Sequence, residues 1–299
     1  MMDILCIGEP LVEFVQLENG DYRRGFGGDT SNAAISAARQ GARVGYLTAL
    51  GTDRFGDTLM DLWEREGVDA SNVIRTPDAP TGIYFVDPDP AGQFFTYYRA
   101  GSAASLMRPQ DLPEAALRTA KCVHLSAITL AVSPDLRETG MAAMRVAKEA
   151  GVSVSLDTNL RLKLWDLEEA RRVILEAMTL ARIAVTSVDD SIHLTGQTDP
   201  AEIAAFYQDL GVEIVLVTNG AEGCSLIGPD GIRKIPAAPA NPVDSTGAGD
   251  SFAGAFLAWW LESGDLELAA RRAAQVAAGT VSGFGAVDPI PRRADLIPA

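Results

Sequence analysis

Pro242-Val243-Asp244-Ser245-Thr246-Gly247-Ala248-Gly249-Asp250-Ser251-Phe252-Ala253-Gly254-Ala255-Phe256-Leu257 runs from a polar, proline-containing turn through two closely spaced glycines. It continues into a segment, Phe252 to Leu261, that is apolar on nearly every side and long enough to be a buried helix. The glycines therefore fall at a helix N-terminus. There the first backbone N–H groups lack intrahelical partners and carry the positive end of the helix dipole, and glycine lets another group approach the backbone. Such a turn binds anions. Asp250, beside those donors, reads in two ways. It is either a first-turn capping carboxylate, common for Asp, or a base that takes a proton from an alcohol while the Gly247-Ala248-Gly249 backbone holds charge developing on a transferring phosphoryl group.

The rest of the chain bounds these readings. With 299 residues, 47% hydrophobic and 22% charged, it has the composition of a globular protein, and its length suits one large α/β domain with an appendage. No apolar run is long enough to span a membrane. Met1-Met2-Asp3 lacks the basic start of a secretory signal and leads directly into an apolar strand, Ile4–Ile7, so a cytoplasmic protein is expected. Cys6, Cys122 and Cys224 lie far apart without metal-ligand spacing and read as reduced, buried thiols. A net charge of −15 argues against nucleic acid as a partner. It also requires any phosphate site to gather cations locally, or to receive them on a divalent ion.

Two alternating pairs, Leu11–Gln16 with Tyr22–Phe26 and Gly82–Val86 with Phe94–Tyr98, read as hairpins; the second is joined by Asp87-Pro88-Asp89-Pro90-Ala91-Gly92. Between them Gly27-Gly28-Asp29-Thr30-Ser31-Asn32 leads into a small-residue helix, Ala33 to Gly41, followed by a strand from Val44 and a helix ending near Gly67. From Lys121 onward, short apolar strands (122–125, 152–156, 183–186, 213–218) alternate with helices (135–150, 167–180, 200–210). That pattern predicts a mostly parallel sheet covered on both faces, with ligands at the carboxyl ends of its strands.

Asp244-Ser245-Thr246-Gly247-Ala248-Gly249-Asp250 followed by a small residue and Phe252 resembles the C-terminal signature of the ribokinase-like (PfkB) carbohydrate kinases, with Ser245 where Thr is usual. Gly27-Gly28 with Asn32, then a strand and Gly51-Thr52-Asp53-Arg54-Phe55-Gly56, is similar to the family's N-terminal signature. The resemblance implies a three-layer α/β/α sandwich with a small β-sheet lid: one domain over 1–299, with lid strands inserted at about 11–26 and 82–98. It further implies Mg-ATP as phosphoryl donor, Asp250 as base, Gly247, Ala248 and Gly249 as anion hole, and Gly28, Asp29 and Asn32 at the sugar. A homo-oligomer, with a dimer through the lid, follows from the same resemblance.

Asp157-Thr158-Asn159-Leu160-Arg161 before Leu164-Trp165 is similar to a segment of the 2-keto-3-deoxygluconate kinase and fructokinase branch, with Thr158 where Pro is usual, and Tyr97-Tyr98-Arg99-Ala100-Gly101-Ser102-Ala103 resembles the keto-deoxy-sugar-acid kinases. Locally these are also readable as a helix-capping loop and a packed hairpin edge. On these resemblances Asn159 and Arg161 lie between nucleotide phosphates and sugar, Arg99 and Arg161 bind a sugar-acid carboxylate, and Tyr84 and Tyr97 are neighbours. Asp190 takes a position usually held by Glu that organises magnesium and phosphate through water, with Ser187 in place of Asn. Thr218, Gly220, Gly223, Thr246 and Gly279 fall to the nucleotide, with Asn219 a departure from the family loop; no direct metal ligand is assigned.

Within the class, fructokinase and ribokinase activities are the alternatives. Outside it, the fold without turnover would make a sugar-binding regulatory protein. A nucleotide-dependent dehydrogenase would need a glycine fingerprint after the first strand, where Gly8-Glu9-Pro10 stands. No Walker A sequence is present, and the isolated His124 and His193 read as structural.

Overall fold

The computed structural model describes residues 1–89 and 92–296; Pro90 and Ala91 of the expected hairpin connection lie outside the described residues. The chain opens with β1 (Ile4–Ile7), β2 (Leu11–Gln16), β3 (Tyr22–Gly27), α1 (Asp29–Arg39), β4 (Val44–Gly51), α2 (Arg54–Glu66), β5 (Asp69–Thr76), β6 (Ile83–Asp89) and β7 (Gly92–Tyr98). It continues with α3 (Glu114–Thr119), β8 (Cys122–Ser126), α4 (Ala127–Ala131), α5 (Pro134–Glu149), β9 (Ser153–Asp157), α6 (Leu167–Met178), β10 (Ile183–Ser187), α7 (Val188–Thr195) and α8 (Pro200–Asp209). It closes with β11 (Ile214–Thr218), β12 (Cys224–Gly228), β13 (Gly231–Ile235), α9 (Ala248–Ser263) and α10 (Leu266–Thr280).

Nine strands form the main sheet in the order β13-β12-β11-β10-β9-β8-β1-β4-β5, parallel except for the antiparallel β12 and β13. The side-chain period of two divides its core. Ile4 and Cys6 of β1 face a cluster with Trp63, Phe252 and Phe256, which α2 and α9 supply. Leu5 and Ile7 face the opposite cluster with Leu136, Val173 and Ile203 from α5, α6 and α8. The three layers expected from the alternating pattern are therefore present.

Chain order reverses at β1: β4 and β5 lie to one side of it, β8 to β11 to the other. That is a topological switch point, with its crevice at the carboxyl ends of β1 and β8. The two hairpins join through a parallel β2–β6 pair into a separate sheet, β3-β2-β6-β7. Among the described residues no helix is long and apolar enough to cross a membrane, and all three cysteines are buried and unpaired.

Departures from expectation include α1, β5 and β13. Helix α1 begins at Asp29 rather than Ala33, because Gly28 takes φ 103° as its N-cap and Asp29 suits the positive dipole end. Asn32 consequently sits in the first turn. Strands β5 and β13 lie at the two edges of the main sheet, in polar, half-exposed segments that lack an apolar run.

Candidate active site

Helix α9 starts as the glycines require. Gly247 is its N-cap at φ 77°, and a Cβ there would also press on Ala286 at 2.9 Å. Gly249, by contrast, points its Cα into open space, and its N–H takes no backbone acceptor outside the helix. An approaching anion thus finds a bare backbone and a free donor at the positive end of the dipole.

Asp250 follows in the same turn. Its Oδ2 accepts from Asn32 Nδ2 at 2.8 Å and its Oδ1 from Asn159 Nδ2 at 3.5 Å. The same Asn159 amide donates to Asp29 Oδ2 at 3.0 Å, so one amide bridges two carboxylates. To do so Asn159 adopts φ 24°, the one non-glycine in the left-handed region among the described residues. Such strain concentrates at functional sites. Burial first, and the Asp29 charge second, push the Asp250 carboxyl up to about 6, against the pull of Asn32 and Arg161. A base whose proton affinity lies near neutrality is what proton abstraction from an alcohol needs.

Asp157, at the end of β9, is the acidic residue whose part sequence reading missed. It is buried, and its carboxyl is raised well above the ordinary range by burial, then by Asp250, Asp190 and Asp29. Asp190 sits in the first turn of α7 and accepts through Oδ2 from Thr158 Oγ1 at 2.8 Å and Leu160 N at 3.0 Å. Its visible work is to hold the 158–160 loop that presents Asn159.

On the expected nucleotide side, Thr218 ends β11 and donates to Thr186 O at 3.1 Å. Gly220 has φ 49° with free space beside it, whereas Gly223 is glycine because Ile235 O would lie 2.1 Å from its Cβ. Gly279 is likewise required by packing, with Pro291 Cγ at 2.2 Å from a Cβ, so an open surface for adenine does not explain that glycine. Thr246 N and Oγ1 both bond Asp244 Oδ1, while Gly285 N bonds Oδ2. This ties the anion turn to the 281–285 segment.

The lid sheet supplies the opposite wall. Tyr84 stacks on Tyr97 with ring centroids 5.3 Å apart, and its hydroxyl donates to the Glu13 carboxylate. Gly25 and Gly27 of β3 make room for this pair: a Cβ would meet Glu13 Oε1 at 2.6 Å or Tyr84 Oη at 2.5 Å. Burial raises the Glu13 carboxyl. An acidic residue on the buried stripe of β2 was the overlooked signal for it.

The two arginines part company. Arg161 is exposed, bonds Leu160 O at 2.9 Å, and acts electrostatically on both Asp250 and Tyr97. Arg99 is already paired: its Nε donates to Glu9 Oε2 at 2.6 Å and its Nη2 pairs with the same oxygen.

Residues 1–293 match the family model described as pfkB family carbohydrate kinase. The chain is 35% identical to a 2-dehydro-3-deoxygluconokinase of Thermoproteus tenax over 99% of its own length and 94% of that protein. It is also 35% identical to the probable fructokinase-4 of Arabidopsis thaliana, over 85% of this chain and 81% of that one. The crystal structure of fructokinase with bound ATP from Xylella fastidiosa aligns at TM-score 0.90 and 28% identity, covering 99% of this chain and 97% of that one.

Proposed function

Since the chain belongs to the pfkB family of carbohydrate kinases, we propose that it transfers the γ-phosphoryl group of ATP to the primary hydroxyl of 2-keto-3-deoxygluconate, giving the 6-phosphate. The observation that carries the choice of a sugar acid is the exposed Arg161 guanidinium, within electrostatic reach of Asp250 and Tyr97 at the mouth of the lid. In a protein of net charge −15 such a cation has a use when the acceptor carries a carboxylate.

Asp250 takes the hydroxyl proton as the oxygen attacks the γ-phosphorus in line, and returns it to solvent after product leaves. The amides from Gly247 to Gly249 receive charge on the equatorial oxygens. Asn32 and Asn159 orient Asp250. Gly28, Asp29, Tyr84, Tyr97 and Arg99 enclose the sugar, and the lid keeps out water that competes as acceptor. Thr218, Gly220, Gly223 and Thr246 face the nucleotide, with Gly279 in the helix behind.

Among the described residues no three or more His, Cys, Asp or Glu converge on a metal position. Mg²⁺ would arrive on the nucleotide phosphates with its own waters, and Asp190 would be the acidic side chain to meet it. When bound, the ion neutralises phosphate charge. The expected compartment is the cytoplasm, where ATP is supplied, and the expected assembly is a homodimer through the lid.

The test is ATP consumption with 2-keto-3-deoxygluconate, fructose and ribose compared side by side, with Asp250→Asn as control. Selective, Asp250-dependent turnover of the sugar acid is expected. Turnover of fructose alone would favour the second reading, to which the plant fructokinase identity gives weight.

A further inference from the structure

Glu9 occupies the turn after β1 and is only 3% exposed, yet nothing in the phosphoryl-transfer chemistry uses it. Its Oε1 accepts from Ser102 Oγ at 2.6 Å, and its Oε2 takes both the Nε and the Nη2 of Arg99. The Arg99 side chain is itself 13% exposed and lies over the Tyr97 ring at 5.5 Å. Gly82 closes the pair in, since a Cβ there would lie 3.1 Å from Glu9 Oε1. Two of the three guanidinium nitrogens, Nε and Nη2, are thus held on Glu9, with the Tyr97 ring beside them.

We propose that Glu9 is a positioning residue that divides the work of the two arginines. It fixes the Arg99 guanidinium and offsets part of its charge, so that Arg99 offers the acceptor a directed hydrogen bond, while the exposed Arg161 adds the positive charge that distinguishes a sugar acid from a neutral sugar. This rests on the sugar-acid kinase reading above. The physical basis is that a buried, bonded ion pair presents little net charge to a third group, whereas an unpaired guanidinium at the rim presents all of it.

The experiment is steady-state kinetics of the full chain and its Glu9→Gln and Arg161→Gln variants. The acceptor is 2-keto-3-deoxygluconate, with fructose as alternative substrate or competitive inhibitor, and thermal midpoint and ATP binding serve as controls. Arg161→Gln is expected to lower kcat/KM for the sugar acid about 100-fold and to change fructose recognition less than about threefold. Glu9→Gln is expected to raise KM for fructose about tenfold with kcat little changed. It should weaken the acid less, because Arg99 then carries net charge; the acid-to-neutral preference therefore rises. A folded Glu9→Gln enzyme that loses both acceptors equally, or neither, overturns the proposal.

If Glu9→Gln fails to fold, the ¹⁵Nε–H resonance of Arg99 in the unsubstituted chain decides. A resolved, exchange-protected signal missing from Arg99→Lys supports the clamp, and a freely exchanging one overturns it. An unsubstituted enzyme that neither turns over nor binds either sugar overturns the sugar-acid reading instead, and the resonance still judges Glu9.

Discussion

A carboxylate that must accept a proton at neutral pH has to be ionised there, yet hold its proton more firmly than an exposed Asp. Asp250 reaches that compromise by burial and by the neighbouring Asp29, and is pushed up to about 6. Below that pH it is protonated and cannot serve as base. The kcat/KM profile is therefore expected to fall on its acid side with a one-proton limb near pH 6. Asp29→Asn removes the like charge and moves that limb to lower pH; an unmoved limb would show that Asp29 does not act on the base. The same displacement has a stability consequence of definite sign. With the folded value above the ordinary 3.8, the stabilisation is fully present below pH 4 and is lost as pH rises through about 6. Asp250→Asn should thus lower kcat by about 10²–10⁴-fold while raising Tm at pH 8 and leaving it little changed at pH 4. A Tm that drops at pH 8 would mean that Asp250 holds the fold together instead of straining it.

Helices α1 and α9 bring Asn32 and Asp250 together from opposite ends of the chain, and what sets their spacing is Gly254. A Cβ there would lie 2.0 Å from Ala33 O, a backbone atom with nowhere to go. Ser36 Oγ, donating to Ser251 O at 2.6 Å, fastens the same contact. Gly254→Ala is expected to cost about 1–3 kcal/mol of stability by overpacking. It should also lower kcat by widening the Asn32–Asp250 distance, read by denaturant unfolding and by turnover of the surviving folded fraction. Unchanged values of both would place the site's rigidity elsewhere. The glycine turn and the apolar run of α9 were visible in sequence because local rules write them. The role of Gly254 was not, since it is defined by a backbone more than 200 positions away. Edge strands β5 and β13 escaped for a different reason: with one side unpaired and their side chains half exposed, they need no apolar run. The short helices α4 and α7 offer too few turns for a period to show.

Across the whole molecule, the layers and the lid follow from apolar patterning, while the site is a matter of distant partners. Glu9 with Arg99, Glu13 with Tyr84, and Asn159 with Asp29 join residues 71 to 130 positions apart. Motifs located most members of these pairs, but which of them would be neutralised by another could not be read along the chain. The lid sheet carries a further consequence of patterning. Its inner face, with Tyr84 and Val86, is buried, whereas its outer face leaves Tyr98 63%, Phe94 59% and Tyr22 43% exposed. Tyr22 and Tyr98 both meet the Phe85 ring edge-on, at 5.3 and 5.9 Å, so the patch is continuous. An aromatic surface of this kind is covered most simply by a second copy of itself, because a two-fold axis puts the same patch on both partners, and Asp87 within it is already bonded by the Tyr22 hydroxyl at 2.6 Å. The chain is accordingly expected to sediment at twice its 31.7 kDa. The double substitution Phe94→Glu and Tyr98→Glu should return it to a monomer whose KM for the sugar rises severalfold while ATP binding is kept, since the lid loses its support and α9 does not. Sedimentation as a monomer at tens of micromolar before any substitution would leave the lid as a flap of one chain, and its exposed tyrosines would then need another partner.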